Sequence, residues 1–306
     1  MAKIVLAGGS GHLGKLLIAH FVQNGDDVTV LSRRKNLIIH PKVKVVQWDS
    51  VVLGEWVSAL ESADALINLC GQSIQCRFTE KNKERLTNSR IIPTKLLAKA
   101  INSLTNPPKL WINFSGVSIF NGAKEIQDEL GKEFSEDFLG KLCQKWEAAF
   151  WDSACINTQK IVLRISPVLS AKSGMFAELY PLTRYGLAGH VGSGKQFVSW
   201  IHETDFVNLV LWIISQVNKD AIYHACSPNP VTNAQFMRAL RLASGKNFGL
   251  PLPVFMAKVG AYFKGVDPSL MLETVPVTTL LLPKNDFNFI FPYIHSSFED
   301  LIKKLT

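Results

Sequence analysis

The chain has 306 residues, 47% hydrophobic and 19% charged, with a mean hydropathy of +0.13. That balance excludes a disordered or low-complexity chain, and at roughly 150 residues per domain it fits one large domain or a domain with an appendage. The net charge is +8, yet the densest basic cluster is Arg33-Arg34-Lys35 and the longest apolar run is residues 209–214, so neither nucleic acid nor a membrane is expected as a partner.

Residues 3–7 read as a short buried strand that runs into Gly8-Gly9-Ser10-Gly11-His12-Leu13-Gly14. A helix follows with Leu13, Leu16, Leu17 and Phe21 on one side, ending at Asn24-Gly25 as a left-handed cap. Residues 27–31 form the next strand. A strand, glycine loop, helix and strand within about 30 residues is the arrangement a dinucleotide fold requires. Gly8 allows the tight turn, Gly11 removes the Cβ that would block a pyrophosphate, and Gly14 lets the helix pack closely. Ser10, His12 and Leu13 complete the loop at the helix N-terminus, where free N–H groups and the dipole favour an anion.

The second strand ends in Leu31-Ser32-Arg33-Arg34. An NAD enzyme needs a carboxylate there for the ribose 2′-hydroxyl, and none is present. Ser32 and Arg33 suit a 2′-phosphate instead, one charge-assisted hydrogen bond contributing roughly 1.5–3 kcal/mol in favour of NADP. The alternative is that Arg33 and Arg34 are solvated turn residues. A third strand over 43–47 leads to Trp48-Asp49-Ser50, and a fourth over 65–67 leads to Asn68-Leu69-Cys70-Gly71. Small residues in that last stretch let the chain pass beside the cofactor ribose.

The spacing GxxGxxG resembles the extended, epimerase-like branch of the short-chain dehydrogenase/reductase superfamily, although Ala7 stands where a threonine is usual. That resemblance implies that Asp49 hydrogen-bonds the adenine amino group, with a turn role as the alternative, and that Asn68 to Gly71 line the ribose. Further elements narrow it. These are Arg77-Phe78-Thr79, Ser89-Arg90 with Thr94, Gly116-Val117-Ser118, Trp146-Glu147, Leu163-Arg164-Ile165, Gly192-Ser193-Gly194-Lys195-Gln196-Phe197, Trp200-Ile201-His202 with Asp205, and Ser227-Pro228 with Thr232-Asn233 and Phe236. Over essentially the whole chain they resemble the atypical extended short-chain dehydrogenases described as nucleoside-diphosphate-sugar epimerases, which carry a small C-terminal domain of unknown function.

The superfamily's Tyr-x-x-x-Lys pair is missing. Four residues beyond Tyr180, Tyr185, Tyr223, Tyr262 and Tyr293 stand Arg184, Gly189, Ser227, Val266 and Ser297. Aligning on Glu147 puts Leu139 and Cys143 at the pair's positions, and neither can transfer that proton. Ser115 and Ser118 flank the place of the superfamily's catalytic serine. Candidates for a replacement acid/base are His202, Ser118, Lys141 and Cys143, with His202 and Ser118 foremost. His202 titrates near neutrality and precedes Asp205 at the start of a helix over 206–217. The competing reading makes His202 and Asp205 capping and positioning groups, with Asp205 the helix cap.

Residues 189–196 nearly match the phosphate loop GxxxxGK[ST] but lack the final hydroxyl, and a strand over 196–201 follows rather than a helix. They read as a loop near the substrate cleft, with Lys195 or Gln196 touching an anionic substrate and Phe120, Phe197 and Trp200 as cleft wall or core. A strand over 222–225 returns to the main sheet, residues 232–265 read as helical but broken by Pro251 and Pro253, and a short helix covers 296–305.

The resulting expectation is an α/β, Rossmann-like doubly wound parallel sheet (1–168, with 200–226 returning to it) and a smaller, mainly α C-terminal cap (169–306). Five cysteines, an odd number without a Cys-x-x-Cys pair, point to a reducing, cytoplasmic compartment and to no zinc or disulfide framework. The N-terminus enters a strand directly, so no secretory leader is expected. The chain reads as an NADP(H)-binding, epimerase-like oxidoreductase with a small-molecule substrate. The alternative is a non-catalytic, NADP(H)-dependent regulatory or binding protein. A nucleic-acid or membrane-surface binder would require a continuous basic face.

Overall fold

Ile4, Val5, Leu6 and Ala7 are all fully buried. A strand with no polar face needs cover on both sides, which a parallel sheet flanked by helices provides. The computed structural model describes residues 1–34, 37–216 and 221–305. Strand β1 (Lys3–Ala7) is followed by α1 (His12–Gln23), β2 (Asp27–Ser32), β3 (Val43–Gln47) and β4 (Ala65–Asn68). Next come α2 (Glu80–Asn102), β5 (Leu110–Gly116), α3 (Phe138–Trp151) and β6 (Gln159–Ile165). The chain continues through β7 (Val168–Leu169), α4 (Gly174–Thr183), β8 (Phe197–Val198), β9 (Ile201–His202), α5 (Glu203–Ser215) and β10 (Ala221–Ala225). It closes with β11 (Val231–Thr232), α6 (Asn233–Ala243), α7 (Val254–Lys264), α8 (Leu281–Lys284) and α9 (Ile294–Lys303).

The main sheet has seven parallel strands in the order β10-β6-β5-β4-β1-β2-β3. The chain leaves β1 for β2 and β3 on one side, then returns to place β4 on the other. The crevice between the carboxyl ends of β1 and β4 is therefore the switch point where such sheets take ligands. Alternate strand residues face opposite sides. Ile4, Leu6, Val28 and Val30 pack with Leu17, Ile18 and Phe21 of α1 and Phe206, Leu209 and Ile213 of α5. Val5, Ala7, Leu66 and Val162 pack on the other face with Leu97 and Ile101 of α2 and Phe150 of α3. A second core joins Phe176 of α4, Trp200, Phe236 and Leu240 of α6, and Phe298 and Leu301 of α9. Among the described residues no helix is long and apolar enough to cross a membrane.

Two local expectations change. The strand expected over 196–201 is two short pieces in different sheets, β8 antiparallel to β11 and β9 parallel to β7. Helix α5 starts at Glu203, and its cap is His202, whose Nδ1 accepts from the Thr204 amide at 3.1 Å. Asp205 cannot cap it, because a cap must stand before the first turn and Asp205 lies inside it. Its carboxylate instead accepts from the amides of Ile290 (2.8 Å) and Phe291 (2.9 Å), holding the incoming C-terminal segment. Lys35 of the basic cluster and Val217 of the expected helix lie outside the described residues.

Candidate functional site: the crevice at the carboxyl ends of the strands

The glycine loop crosses the switch point. Gly8 has φ +77°, and a Cβ there would stand 3.1 Å from Cys70 Cα, so the ends of β1 and β4 touch through glycine. A Cβ on Gly14 would stand 2.1 Å from the Gly9 carbonyl oxygen, a clash with backbone. Gly14 thus lets α1 pack on its own entry loop rather than on the sheet. Gly11 caps α1 with no capping side chain, and a Cβ on it would meet nothing within 4 Å. The first amides of α1, at His12, Leu13 and Gly14, have no acceptor within the helix, and Ser10 stands just before them in the loop. A phosphate needs this combination of bare N–H groups and absent Cβ atoms, so the residues present fit a dinucleotide.

Ser32, buried at the end of β2, accepts through Oγ from the Arg34 amide at 3.1 Å. Arg33 is exposed, and its charge reaches Cys70 across the crevice. Asp49 makes the turn after β3, accepting through Oδ1 from the amides of Val51 (2.8 Å) and Val52 (3.0 Å); these bonds hold its carboxyl below the ordinary range. Asn68 is fully buried. Its Nδ2 donates to Asn113 Oδ1 (2.7 Å) and Thr94 Oγ1 (3.0 Å), and its Oδ1 accepts from the Cys70 amide (3.1 Å). It shapes the turn from inside. Burial pushes the Cys70 thiol up to about 12, which keeps it neutral.

The Ser89-Arg90 and Thr94 elements brace the same turn. Ser89 Oγ accepts from the Gln72 amide (3.0 Å), and Arg90 donates to the Gln72 carbonyl (3.1 Å) from beneath Gly71. Trp146 Nε1 donates to Thr94 Oγ1 at 2.9 Å, and Arg90 lies over the Trp146 ring.

At the end of β5 the two serines separate. Ser115 Oγ donates to Glu147 Oε1 at 2.7 Å and is buried, whereas Ser118, in the 3-10 turn Val117–Phe120, is half-buried. Leu139 and Cys143 are buried on α3. Burial pushes the Cys143 thiol up to about 11, with the Glu147 carboxylate adding to the effect. Lys141 pairs with Glu136 at the surface. Glu147 also takes both bonds of a bidentate pair with Arg164 (2.9 and 2.8 Å), whose guanidinium lies over the rings of Phe120 and Phe134. Phe120 is thus core. Nothing in the sequence pairs Glu147 with Arg164, 17 residues apart. The available signal was a charge on each buried face, Glu147 beside Cys143, Trp146 and Phe150 of α3 and Arg164 beside Val162 and Leu163 of β6.

His202 is fully buried, and its ring lies 4.0 Å from that of Phe291. Its Nε2 is 3.1 Å from Asp300 Oδ2, outside hydrogen-bond geometry. Burial, then the Lys304 charge, pull its pKa down to about 4. It is neutral at pH 7 and lies beside Phe291, close to Asp300 of α9.

Residues 189–196 lie against the start of α7, and Gly189 and Gly192 permit that approach. Together with Val254, Leu272 and Thr274, residues Val191, Gly192, Ser193, Lys195 and Gln196 line an open cavity of about 400 Å³. Gln196 Nε2 is engaged by the Val191 carbonyl (3.0 Å) and Lys195 is exposed. Glu273, between two lining residues, went unremarked in the sequence. Burial, then the nearby Asp137, push its carboxyl up to about 7.

The profile of the NAD dependent epimerase/dehydratase family matches residues 4–226. The chain is 30% identical over 309 residues to the human epimerase family protein SDR39U1, covering 98% of this chain and 99% of that one. It superimposes on the crystal structure of human SDR39U1 (isoform 2) with NADPH at a TM-score of 0.85, with 28% identity over 98% of this chain and 99% of that one. The Bordetella bronchiseptica enzyme WbmG, solved with NAD and UDP, shares the fold at a TM-score of 0.75 and 13% identity, over 99% of this chain and 96% of that one.

Proposed function

The chain belongs to the NAD dependent epimerase/dehydratase family, and from that premise we propose that it is an NADP(H)-binding oxidoreductase or epimerase of the extended short-chain dehydrogenase type. Its substrate class is a small carbonyl or hydroxyl compound, a nucleotide sugar among them. The carrying observation is the glycine-capped start of α1 beside the end of β2, where Ser32-Arg33 stands instead of a carboxylate. The NADPH in the human relative supports the choice of cofactor. The bound nicotinamide supplies hydride exchange with a substrate carbon.

The chain's own residues do the rest. Ser10, Gly11, His12, Leu13 and Gly14 receive the pyrophosphate through backbone amides, on the turn made by Gly8, whose own amide donates to the Leu31 carbonyl (3.1 Å), and Ser32 and Arg33 take the 2′-phosphate. Asp49 keeps Oδ2 for the adenine amino group. Asn68, Cys70 and Gly71 hold the ribose edge. Ser118 faces the substrate, because Ser115 already donates its proton to Glu147. His202, neutral and enclosed, acts as a positioning residue for the cap. The cap at 169–306 supplies the substrate side, and five free cysteines fit the reducing cytoplasm.

A second reading has one specific support. Leu139 and Cys143 are core residues where the superfamily's proton-transfer pair stands, which suits a non-catalytic NADP(H)-dependent regulator. Turnover against a panel of carbonyl compounds and nucleotide sugars separates the two: silence together with tight NADPH binding selects the regulator. Fluorescence titration tests the cofactor site. The wild type is expected to bind NADPH about ten- to a hundredfold more tightly than NADH, and Arg33→Ala to remove that preference. Equal affinities in the wild type would defeat the Arg33 assignment.

A further inference from the structure

We infer that the outward face of α7, with the adjoining loop at 248–250, seats the protein on an anionic lipid surface. Helix α7 buries only Ala257 and Ala261. Phe255 is 68%, Met256 49%, Val259 52%, Tyr262 61% and Phe263 83% exposed. At about 100° per residue, these five lie opposite the two alanines. The helix therefore turns its large apolar side chains to water. Phe248 and Leu250 are exposed as well, and the Leu250 amide donates to the Gly186 carbonyl (2.7 Å), beside exposed Leu187. Large apolar side chains gathered on one exposed helix face mark an interaction site.

The surrounding charge selects the partner. Residues 221–266 contain no Asp or Glu, and carry Arg238, Arg241, Lys246, Lys258 and Lys264. Arg241 is engaged by the Ala188 carbonyl (2.7 Å) and Lys264 by Glu178 (3.2 Å). Arg184, Arg238, Lys246 and Lys258 are exposed. Cations around an aromatic and aliphatic helix face match a bilayer interface, with headgroups meeting the charges and rings at the acyl boundary. A second copy of the chain fits worse, because an isologous contact would bring the lysines of one copy towards those of the other. The absence of a spanning segment or a basic run argued against a membrane partner. Neither criterion detects a patch that folding assembles from separate turns and one inverted helix.

Flotation with vesicles of phosphatidylcholine, with and without phosphatidylserine, tests the inference. The wild type is expected to float with the anionic vesicles alone, and less at high salt. Removing two charges in Lys246→Gln/Lys258→Gln should lower partitioning about 30-fold. Phe255→Ser/Phe263→Ser should lower it at least about tenfold, with thermal unfolding and NADPH binding unchanged. Failure to float, or flotation unchanged in both variants, overturns the inference. So does a dimer in sedimentation velocity that the phenylalanine variant dissolves, or retention on polyglutamate without vesicle binding.

Discussion

Helices α1 and α7 are 12 and 11 residues long and both carry aromatic side chains, yet they face opposite ways. α1 buries Leu17, Ile18 and Phe21 against β1 and β2. α7 buries two alanines against the short turn Pro268–Met271, under Arg77, whose guanidinium sits 4.1 Å from the Tyr262 ring centre. A helix can bury only what its partner surface has room for. The parallel sheet offers α1 a wide apolar face. The turn beside α7 offers a narrow seat that admits Ala257 and Ala261 alone. Hydrophobicity along a chain thus reports core only where a large surface waits to receive it.

Breaking each helix in turn gives the largest contrast. Phe21→Ala is expected to cost about 3–5 kcal/mol, and Phe263→Ala to stay within about 0.5 kcal/mol, by chemical denaturation. A comparable loss in both would mean that α7 is core.

Away from both helices, two buried titratable groups respond to pH with opposite sign. Folding depresses the pKa of His202 to about 4, so its contribution is complete above the unfolded value near 6.5 and is lost as pH falls towards 4, by up to about 3 kcal/mol. Folding raises Glu273 to about 7, so its contribution is complete below about 4.5 and is lost as pH rises through 7, by a similar upper amount. The two largely cancel in the wild type. Glu273→Gln, free of the penalty, should gain stability relative to wild type as pH rises from 4.5 to 8. The deficit of His202→Asn should shrink as pH falls from 6.5 to 4. Parallel denaturation curves at all pH values would refute both assignments.

The glycine loop sharpens the comparison within α1 itself. Gly14→Ala drives a methyl group into the Gly9 carbonyl and should cost about 1–3 kcal/mol or more. Gly11→Ala places its methyl group in open space at φ −77°, where alanine is at ease. Its melting temperature should hold or rise slightly while NADPH titration shows weakened binding, since the new Cβ stands where the pyrophosphate approaches. If Gly11→Ala binds NADPH normally, the phosphate does not rest there.

Much of the sheet side was legible because its signals are local. Strands β1 and β3 and the α1 cap at Asn24-Gly25 follow from runs of neighbouring residues, and Gly25 indeed has φ +80°. The cap side was not. Asp205 looked like a helix cap from its spacing, but the cap fell to His202, and Asp205 bonds a segment more than 80 residues away. Ser115 and Ser118 were indistinguishable until Glu147 took the first of them. Glu273 has no local pattern at all; its environment is made by burial and then by the Asp137 charge, more than 130 residues earlier in the chain.

The sequence by itself determined the parallel α/β sheet, the glycine loop at the start of the first helix and the missing Tyr/Lys pair, because each is written in residue type at short spacing. Tertiary structure alone decided that Glu147 neutralises Arg164 inside the core, that His202 lies enclosed beside Phe291, and that α7 shows its aromatic side to solvent. Those outcomes depend on which surfaces meet, and surface shape and local dielectric exist only once distant segments have packed.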